Sequence, residues 1–337
     1  MEKILEVKGL QTSFFSHIGE VKSVRGISFD VLKGEALGIV GESGCGKSVT
    51  MLSILRLLSE NGKVKDGEVV FNGKNISSYT EKQMQNIRGN EISMIFQDPM
   101  TSLNPVLTIG EQLTEHFIKH KNVSKVEAHK RAIEMLELVG IPSPENRIKQ
   151  YPHEFSGGMR QRAMIATSLI CNPQLIIADE PTTALDVTIQ AQILDLMKDL
   201  KSKFNTSIIL ITHDLGVVAD LCNRINVMYG GLIVEKGTDE DIFYRSRHPY
   251  TWGLMKSVPD HSSDVQEKLH PIEGQPPDLF KPPVGCPFAA RCEYTMKVCQ
   301  REQPPLFKIA EGHEAACFLN HPEAPKVESP ILRKGVN

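Results

Sequence analysis

The 337-residue sequence has no apolar run near the roughly 18 residues that a membrane-crossing helix needs. Its opening, Met1-Glu2-Lys3-Ile4-Leu5-Glu6, has no apolar stretch of the kind a secretion signal carries. Neither charge dominates: 38 basic against 41 acidic side chains leave a net charge of −3. No broad basic field is present for nucleic acid to bind. Tight C-x₂₋₄-C pairs are also missing. Of the seven cysteines, Cys45, Cys171 and Cys222 are scattered, and the other four fall after residue 285. These absences point to a reducing, cytosolic setting, where clustered cysteines suggest metal more than disulfides. The length allows one large or two modest domains, with ample core.

What is present centres on Gly41-Glu42-Ser43-Gly44-Cys45-Gly46-Lys47-Ser48, which reads G-x-x-x-x-G-K-S. In such a loop the glycines let backbone N–H groups curl around a phosphate. Lys47 can reach the β- and γ-phosphates, and Ser48 offers its hydroxyl to Mg²⁺. Ala36 to Val40 precedes the loop as a buried strand, and Val49 to Leu58 follows with apolar residues at helical spacing. The phosphate is therefore expected at a helix N-terminus. Cys45 sits there too, where a thiol's pKa tends to fall, so it reads as modifiable or as a small loop filler.

Residues 1 to 35 read as antiparallel β structure, with Phe14 and Phe15 in a polar stretch where an aromatic ring can stack on adenine or half-bury in a strand. Ile92 to Phe96 reads as a strand ending at Gln97-Asp98-Pro99, a polar end able to orient water or touch a metal. From about 100 to 155 the pattern turns helical, and Ser124 to Glu127 has a capping-box signature. Phe155-Ser156-Gly157-Gly158-Met159 opens another helix, with Ser156 as N-cap, and is a second helix start suited to phosphate.

Leu175 to Glu180 is an apolar strand ending in two carboxylates. Asp179 is placed to hold Mg²⁺. By strand alternation Glu180 faces the other way, toward an attacking water that it can polarise as general base. Asp186, after Ala184-Leu185, is a natural N-cap. His213 follows the strand Ser207 to Thr212, on the ligand edge of a parallel sheet, where it contacts a γ-phosphate or makes a structural hydrogen bond. Asn226 to Glu235 reads as a hairpin around Gly230-Gly231.

In this order, over about residues 1 to 245, these residues resemble the nucleotide-binding subunit of an ABC transporter. The motifs are the phosphate loop, Gln97, Ser156-Gly157-Gly158-Met159, Asp179-Glu180, Ala184-Leu185-Asp186 and His213. Phe155 and Met159 replace the commoner Leu and Gln of the signature. That variant resembles the oligopeptide, dipeptide and nickel importer branch, as do Gln97 to Pro105, His248-Pro249-Tyr250-Thr251 and Gly274-Gln275-Pro276-Pro277. The resemblance implies an α/β phosphate-loop NTPase (RecA-like) core over residues 1–245. It carries an antiparallel β subdomain and an α-helical subdomain at about 98–165. A small loop-rich cysteine module over 246–337 follows.

The implied activity is ATP hydrolysis powering import of dipeptides or oligopeptides, with a nickel importer or a ribosome- or DNA-directed ABC ATPase as alternatives. The mild acidity and the lack of a second nucleotide domain or long coiled-coil insertion count against the last. A metal-sensing module using ATP only as a switch is disfavoured by the presence of both Glu180 and His213.

The resemblance further implies ATP sandwiched between two head-to-tail subunits, in a homodimer or heterodimer. ATP would contact Phe14, Gly41, Ser43, Gly44, Cys45, Gly46, Lys47, Ser48 and Val49 of one chain, and Ser156 and Gly158 of the other. Asp186 would communicate across the dimer. Glu180, His213, Gln97 and Lys47 would be catalytic, with Ser48, Gln97 and Asp179 around Mg²⁺. The implied partners are a second ATPase subunit, two transmembrane permease subunits and, indirectly, an extracytoplasmic binding protein, with no nucleic acid. The implied location is the cytoplasmic face of the membrane.

Cys286, Cys292, Cys299 and Cys317 are spaced C-x5-C-x6-C-x17-C among proline-rich stretches, so the module is short of regular structure and suited to a staple. Four thiolates suit a 4Fe–4S cluster or a structural zinc, with unligated or disulfide-bonded cysteines as the remaining alternative. Cys286-Pro287 matches the Cys-Pro of cluster-binding runs, and the family resemblance also points to the cluster. Its default role is structural, with redox sensing the alternative.

Overall fold

The computed structural model describes residues 2–183, 185–257 and 272–331. The chain forms two compact units that interleave along the sequence. One comprises Met1–Ile4, Val31–Glu35 and Ser78–Ile211, and the other Leu5–Asp30, Ala36–Ser77 and Thr212–Asn337.

In the first unit, strand Leu175–Asp179 pairs in parallel with Ile92–Ile95 on one side and with Ser207–Thr212 on the other. Every residue of Leu175–Asp179 and Ser207–Thr212 is buried. Such uninterrupted apolar runs mark strands covered on both faces. Helices Ile109–Lys121, Lys125–Leu138 and Gly157–Leu169 make up most of the helical insertion. Their starts follow the polar residues before them: the side chains of Thr108, Ser124 and Ser156 accept the backbone N–H of Glu111, Glu127 and Met159. Ala128, Ala132, Met135 and Leu136 bury one face of the second of these helices. Helix Val187–Phe204 begins at Asp186, whose carboxylate accepts the Ile189 N–H at 3.0 Å. Ala184 lies outside the described residues.

In the second unit, Lys3–Ser16 and Gly62–Phe71 pair antiparallel, and a tight turn at Asn72 and Gly73 returns the chain as Lys74–Asn75. The phosphate-loop strand Ala36–Val40 pairs in parallel with Arg224–Tyr229, which forms the expected hairpin with Leu232–Thr238. Strand Leu232–Thr238 then pairs with His313–Ala315, and that with Phe307–Ala310. The C-terminal region is therefore stitched into this sheet as well as being loop-rich. Proline-dense sequence around two short strands hides that pairing. Among the described residues no helix is long and apolar enough to cross a membrane.

The helix after the phosphate loop runs Lys47–Leu55, two residues earlier at its start and three shorter at its end than the apolar spacing suggests. Gly46 is its N-cap, so Lys47 and Ser48 form its first turn. Arg56 adopts the left-handed conformation and ends it. The strand-alternation argument for Glu180 does not hold. Strand Leu175–Asp179 stops one residue earlier, and Glu180 has φ +46°, so a left-handed turn aims its side chain.

Candidate functional site

The phosphate loop is shaped by close backbone approaches. A Cβ on Gly41 would lie 2.2 Å from the Met228 carbonyl oxygen. One on Gly46 (φ +102°) would lie 2.5 Å from the Ser23 carbonyl oxygen. Only glycine fits either place without a shift. Ser43 and Gly44 are exposed at the crest, Ser48 and Val49 are half-buried, and Lys47 is buried. The Lys47 ammonium donates to the carbonyls of Gly41 at 2.7 Å and Glu42 at 3.0 Å. It thus folds across its own loop and is held by neutral acceptors, which an anionic phosphate outcompetes.

Cys45 is a loop filler. It is 5% exposed, and burial pushes its thiol pKa up, overriding the opposing pull of Lys47. Of the two readings, the modifiable thiol gives way to the loop filler, because desolvation outweighs the helix terminus here. Phe14 is half-buried, its ring against Gly62, where an added Cβ would come within 2.8 Å. Phe15 lies beneath the ammonium groups of Lys63 and Lys65, 5.8 and 5.2 Å from its ring centre. His213 is exposed just beyond strand Ser207–Thr212, in this same unit, and Asp214 caps the next helix.

The other unit assembles the carboxylates. Asp179 is buried at the strand end. Glu180 is half-buried, and its Oε2 accepts from Gln97 Nε2 at 3.0 Å and from the Thr183 hydroxyl at 2.9 Å. Its N–H donates to the Ile211 carbonyl at 2.9 Å, which fixes the left-handed turn. A non-glycine residue held at positive φ at the end of a buried strand is strain of the kind found at functional positions. Two side chains that the sequence singled out separately, Gln97 and Glu180, thus meet.

The signature segment presents Ser156 and Gly157 to solvent, while Phe155 anchors it in the core. One turn into its helix, buried Gln161 donates to the carbonyl of Pro181, the residue after Glu180. The signature and the carboxylate turn are therefore directly bonded, a link that sequence reading missed. Asp186 is exposed and spends its carboxylate on helix capping. The phosphate-loop residues and the Glu180 group belong to different compact units.

Sequence reading also missed Glu42. Its carboxylate accepts two bonds from the guanidinium of Arg291, at 2.5 and 2.9 Å. Its N–H donates to the Tyr250 hydroxyl at 2.8 Å. Cys286, Cys292, Cys299 and Cys317 line one pocket together with His248 and Phe288. Burial pushes the Cys317 thiol up to about 12 and Cys286 up to about 11, and raises Cys292 as well. Buried His248 is pushed down to about 3 and stays neutral. Its Nδ1 accepts the Tyr250 N–H at 3.0 Å, so the ring proton is assigned to Nε2. That Nε2 is buried without a hydrogen-bond partner.

A phosphate loop on a parallel strand, an antiparallel sheet and a helical insertion define the class of ATP-binding cassettes, and solved structures agree. A dimeric cassette in a post-hydrolysis state bound to ADP and phosphate superposes with a TM-score of 0.63 and 27% identity, over 70% of this chain and 98% of that one. The cbiO1 protein of Clostridium perfringens gives 0.62 and 27%, over 72% and 91%. The family model for the ABC transporter matches residues 24–183, and that for the oligopeptide/dipeptide transporter C-terminal region matches 234–299.

The oligopeptide transport ATP-binding protein OppD of Bacillus subtilis is 58% identical over 97% of this chain and 92% of its own. The dipeptide transport ATP-binding protein DppD of the same organism is 56% identical over 96% and 97%. The chain belongs to the ABC transporter family of ATP-binding proteins, in its oligopeptide and dipeptide transport branch.

Proposed function

We propose that this chain is the ATP-hydrolysing subunit of an importer of dipeptides and oligopeptides. The observation that carries this reading is its identity, over nearly its whole length, with ATP-binding proteins named for peptide transport. Those names favour peptide over nickel as cargo, and over a ribosome- or DNA-directed role.

The chemistry we assign follows from the residues. The phosphate loop from Gly41 to Val49 cradles the nucleotide phosphates with its N–H groups, and Lys47 leaves its carbonyl acceptors for the β- and γ-phosphates. Phe14, half-buried, is the ring we assign to stack on adenine. Ser48, Gln97 and Asp179 would hold Mg²⁺, and their all-oxygen donor set suits that hard cation. When bound there, the metal would neutralise phosphate charge. Glu180 takes the proton of the attacking water, with Gln97 holding its carboxylate in place until nucleotide arrives. His213 contacts the γ-phosphate. The exposed Ser156 and the adjoining Gly158 serve a second subunit's nucleotide in trans, and Asp186 works across the same dimer.

Two permease subunits in the membrane, and through them an extracytoplasmic binding protein, complete the transporter. The subunit is placed peripherally on the cytoplasmic face. Linear domains of 1–245 and 246–337 remain our functional division. Phosphate release by the purified chain, and its loss in Glu180→Gln, tests the ATPase reading.

For the tail we infer a 4Fe–4S cluster on Cys286, Cys292, Cys299 and Cys317. Among the described residues no group of three or more His, Cys, Asp or Glu side chains is placed to hold a metal ion. What supports the cluster is that all four cysteines line one pocket, and four thiolates are its usual ligands. The unpartnered Nε2–H of His248 in that pocket supplies a donor for a sulfur acceptor. Binding would require the raised thiols to lose their protons. When bound, the group would act as a staple for the module. About four irons and four sulfides per chain, on protein purified without oxygen, are expected; one zinc, or neither metal, would overturn the cluster.

A further inference from the structure

Glu42 lies inside the phosphate loop, yet it is a carboxylate, the charge least suited to a triphosphate site. Each of its polar groups is committed. The N–H donates to the Tyr250 hydroxyl, the carbonyl accepts from Lys47, and the carboxylate accepts both arms of Arg291. Tyr250 and Arg291 lie in the C-terminal region, 208 and 249 positions away. Both fall outside the segment matching the ABC transporter model.

Arg291 is itself braced. Its side chain is 5% exposed. It also donates to the carbonyls of Ile272 and Glu273, both at 2.9 Å, and to the Tyr229 hydroxyl at 3.1 Å. Its guanidinium lies 5.7 Å from the Tyr229 ring centre and 5.9 Å from that of Phe288. Next in the chain is Cys292. A two-pronged guanidinium–carboxylate pair fixes geometry as well as charge, which lysine cannot reproduce.

We propose that Arg291 is a positioning residue for the phosphate loop: it neutralises and pins Glu42, and so makes nucleotide affinity depend on the cysteine-bearing C-terminal module. Unpaired, the Glu42 carboxylate repels the incoming phosphates and is free to distort the nest. Paired, it stays in place while Lys47 exchanges the Glu42 carbonyl for phosphate. This rests on the ATPase reading above and extends it to a part of the chain outside the nucleotide-binding motifs.

The test is titration of the purified full chain with a fluorescent ATP analogue, together with KM and kcat for ATP. Arg291→Met is expected to weaken binding about tenfold and to raise KM with kcat at saturating ATP little changed. Adding Glu42→Gln to that variant is expected to restore most of the loss, because the repelling charge is gone. A merely structural arginine would leave the double variant as weak as the single one, and that result overturns the proposal. Wild-type affinity in Arg291→Met overturns it equally. Should Arg291→Met not fold, Arg291→Lys keeps the charge without the fork and is expected to bind a few-fold more weakly; unchanged affinity there also counts against the pinning. A wild-type chain that binds no ATP would instead sink the ATPase reading itself.

Discussion

The phosphate loop and the Glu180 turn, to which we assign complementary roles, are built in opposite ways. The loop is made of backbone and glycine, packed so closely that a Cβ at Gly41 or Gly46 would strike a neighbouring carbonyl. It is tied from outside by Tyr250 and Arg291. The Glu180 turn is made of side chains. It is one left-handed residue whose N–H donates to the Ile211 carbonyl and whose carbonyl accepts from the Thr183 N–H, and its carboxylate is reached by Gln97 and the Thr183 hydroxyl. The lesson is that backbone packing makes a rigid cradle, as the proposed anion site requires, whereas side-chain bonds hold the carboxylate in a way that nucleotide binding can rearrange.

The sharpest way to break this comparison is Glu180→Gln. An amide cannot accept the proton of the attacking water, so hydrolysis is expected to fall at least about 100-fold, while ATP binding persists. Phosphate release and nucleotide titration check both halves. Turnover like wild type would remove Glu180 as the base. Lys47→Ala should do the reverse and lower ATP affinity by about tenfold or more, as loss of a charge-assisted contact does. Affinity unchanged in a filter-binding assay would count against the loop.

The cradle's rigidity has its own test. Gly46→Ala adds a Cβ at φ +102° and 2.5 Å from the Ser23 carbonyl oxygen. A loss of roughly 1–3 kcal/mol in denaturant unfolding is expected, along with weaker ATP binding. Equal stability would mean that the loop deforms easily.

The smallest effect lies in the helical insertion. His116 is half-buried, its Nε2 is 3.3 Å from the Gly89 carbonyl, and burial first, then Lys119, holds its pKa below the usual histidine value. The unfolded chain therefore takes up a proton first as pH falls. Stability is lost from about pH 6.5 downward until the folded group also protonates. The melting temperature should drop modestly between about pH 7 and pH 5, and less in His116→Gln. A drop of the same size in the variant would assign the effect to other groups.

How much was legible depended on whether the physics was local. The phosphate loop, its strand and its helix are contiguous, so glycine spacing and apolar period sufficed. Ser156 and Asp186 declared themselves as caps because capping is a three-residue affair. Alternation failed at Glu180 because nothing in the sequence marks a non-glycine residue as left-handed. For Cys45 the motif left two readings open, and only its packing against Gly41 decides for the loop filler. The pairing of His313–Ala315 with Leu232–Thr238, and of Arg291 with Glu42, join positions too far apart for any periodicity to reveal.

The central claim is that ATP hydrolysis by this chain drives peptide import. Its most direct test is one vesicle preparation holding the chain with its permease partners and a peptide-loaded binding protein, in which phosphate release and peptide accumulation are followed together. The account predicts that both occur with the wild-type chain and that both cease with Glu180→Gln. Hydrolysis without peptide accumulation, or accumulation that survives Glu180→Gln, would contradict it.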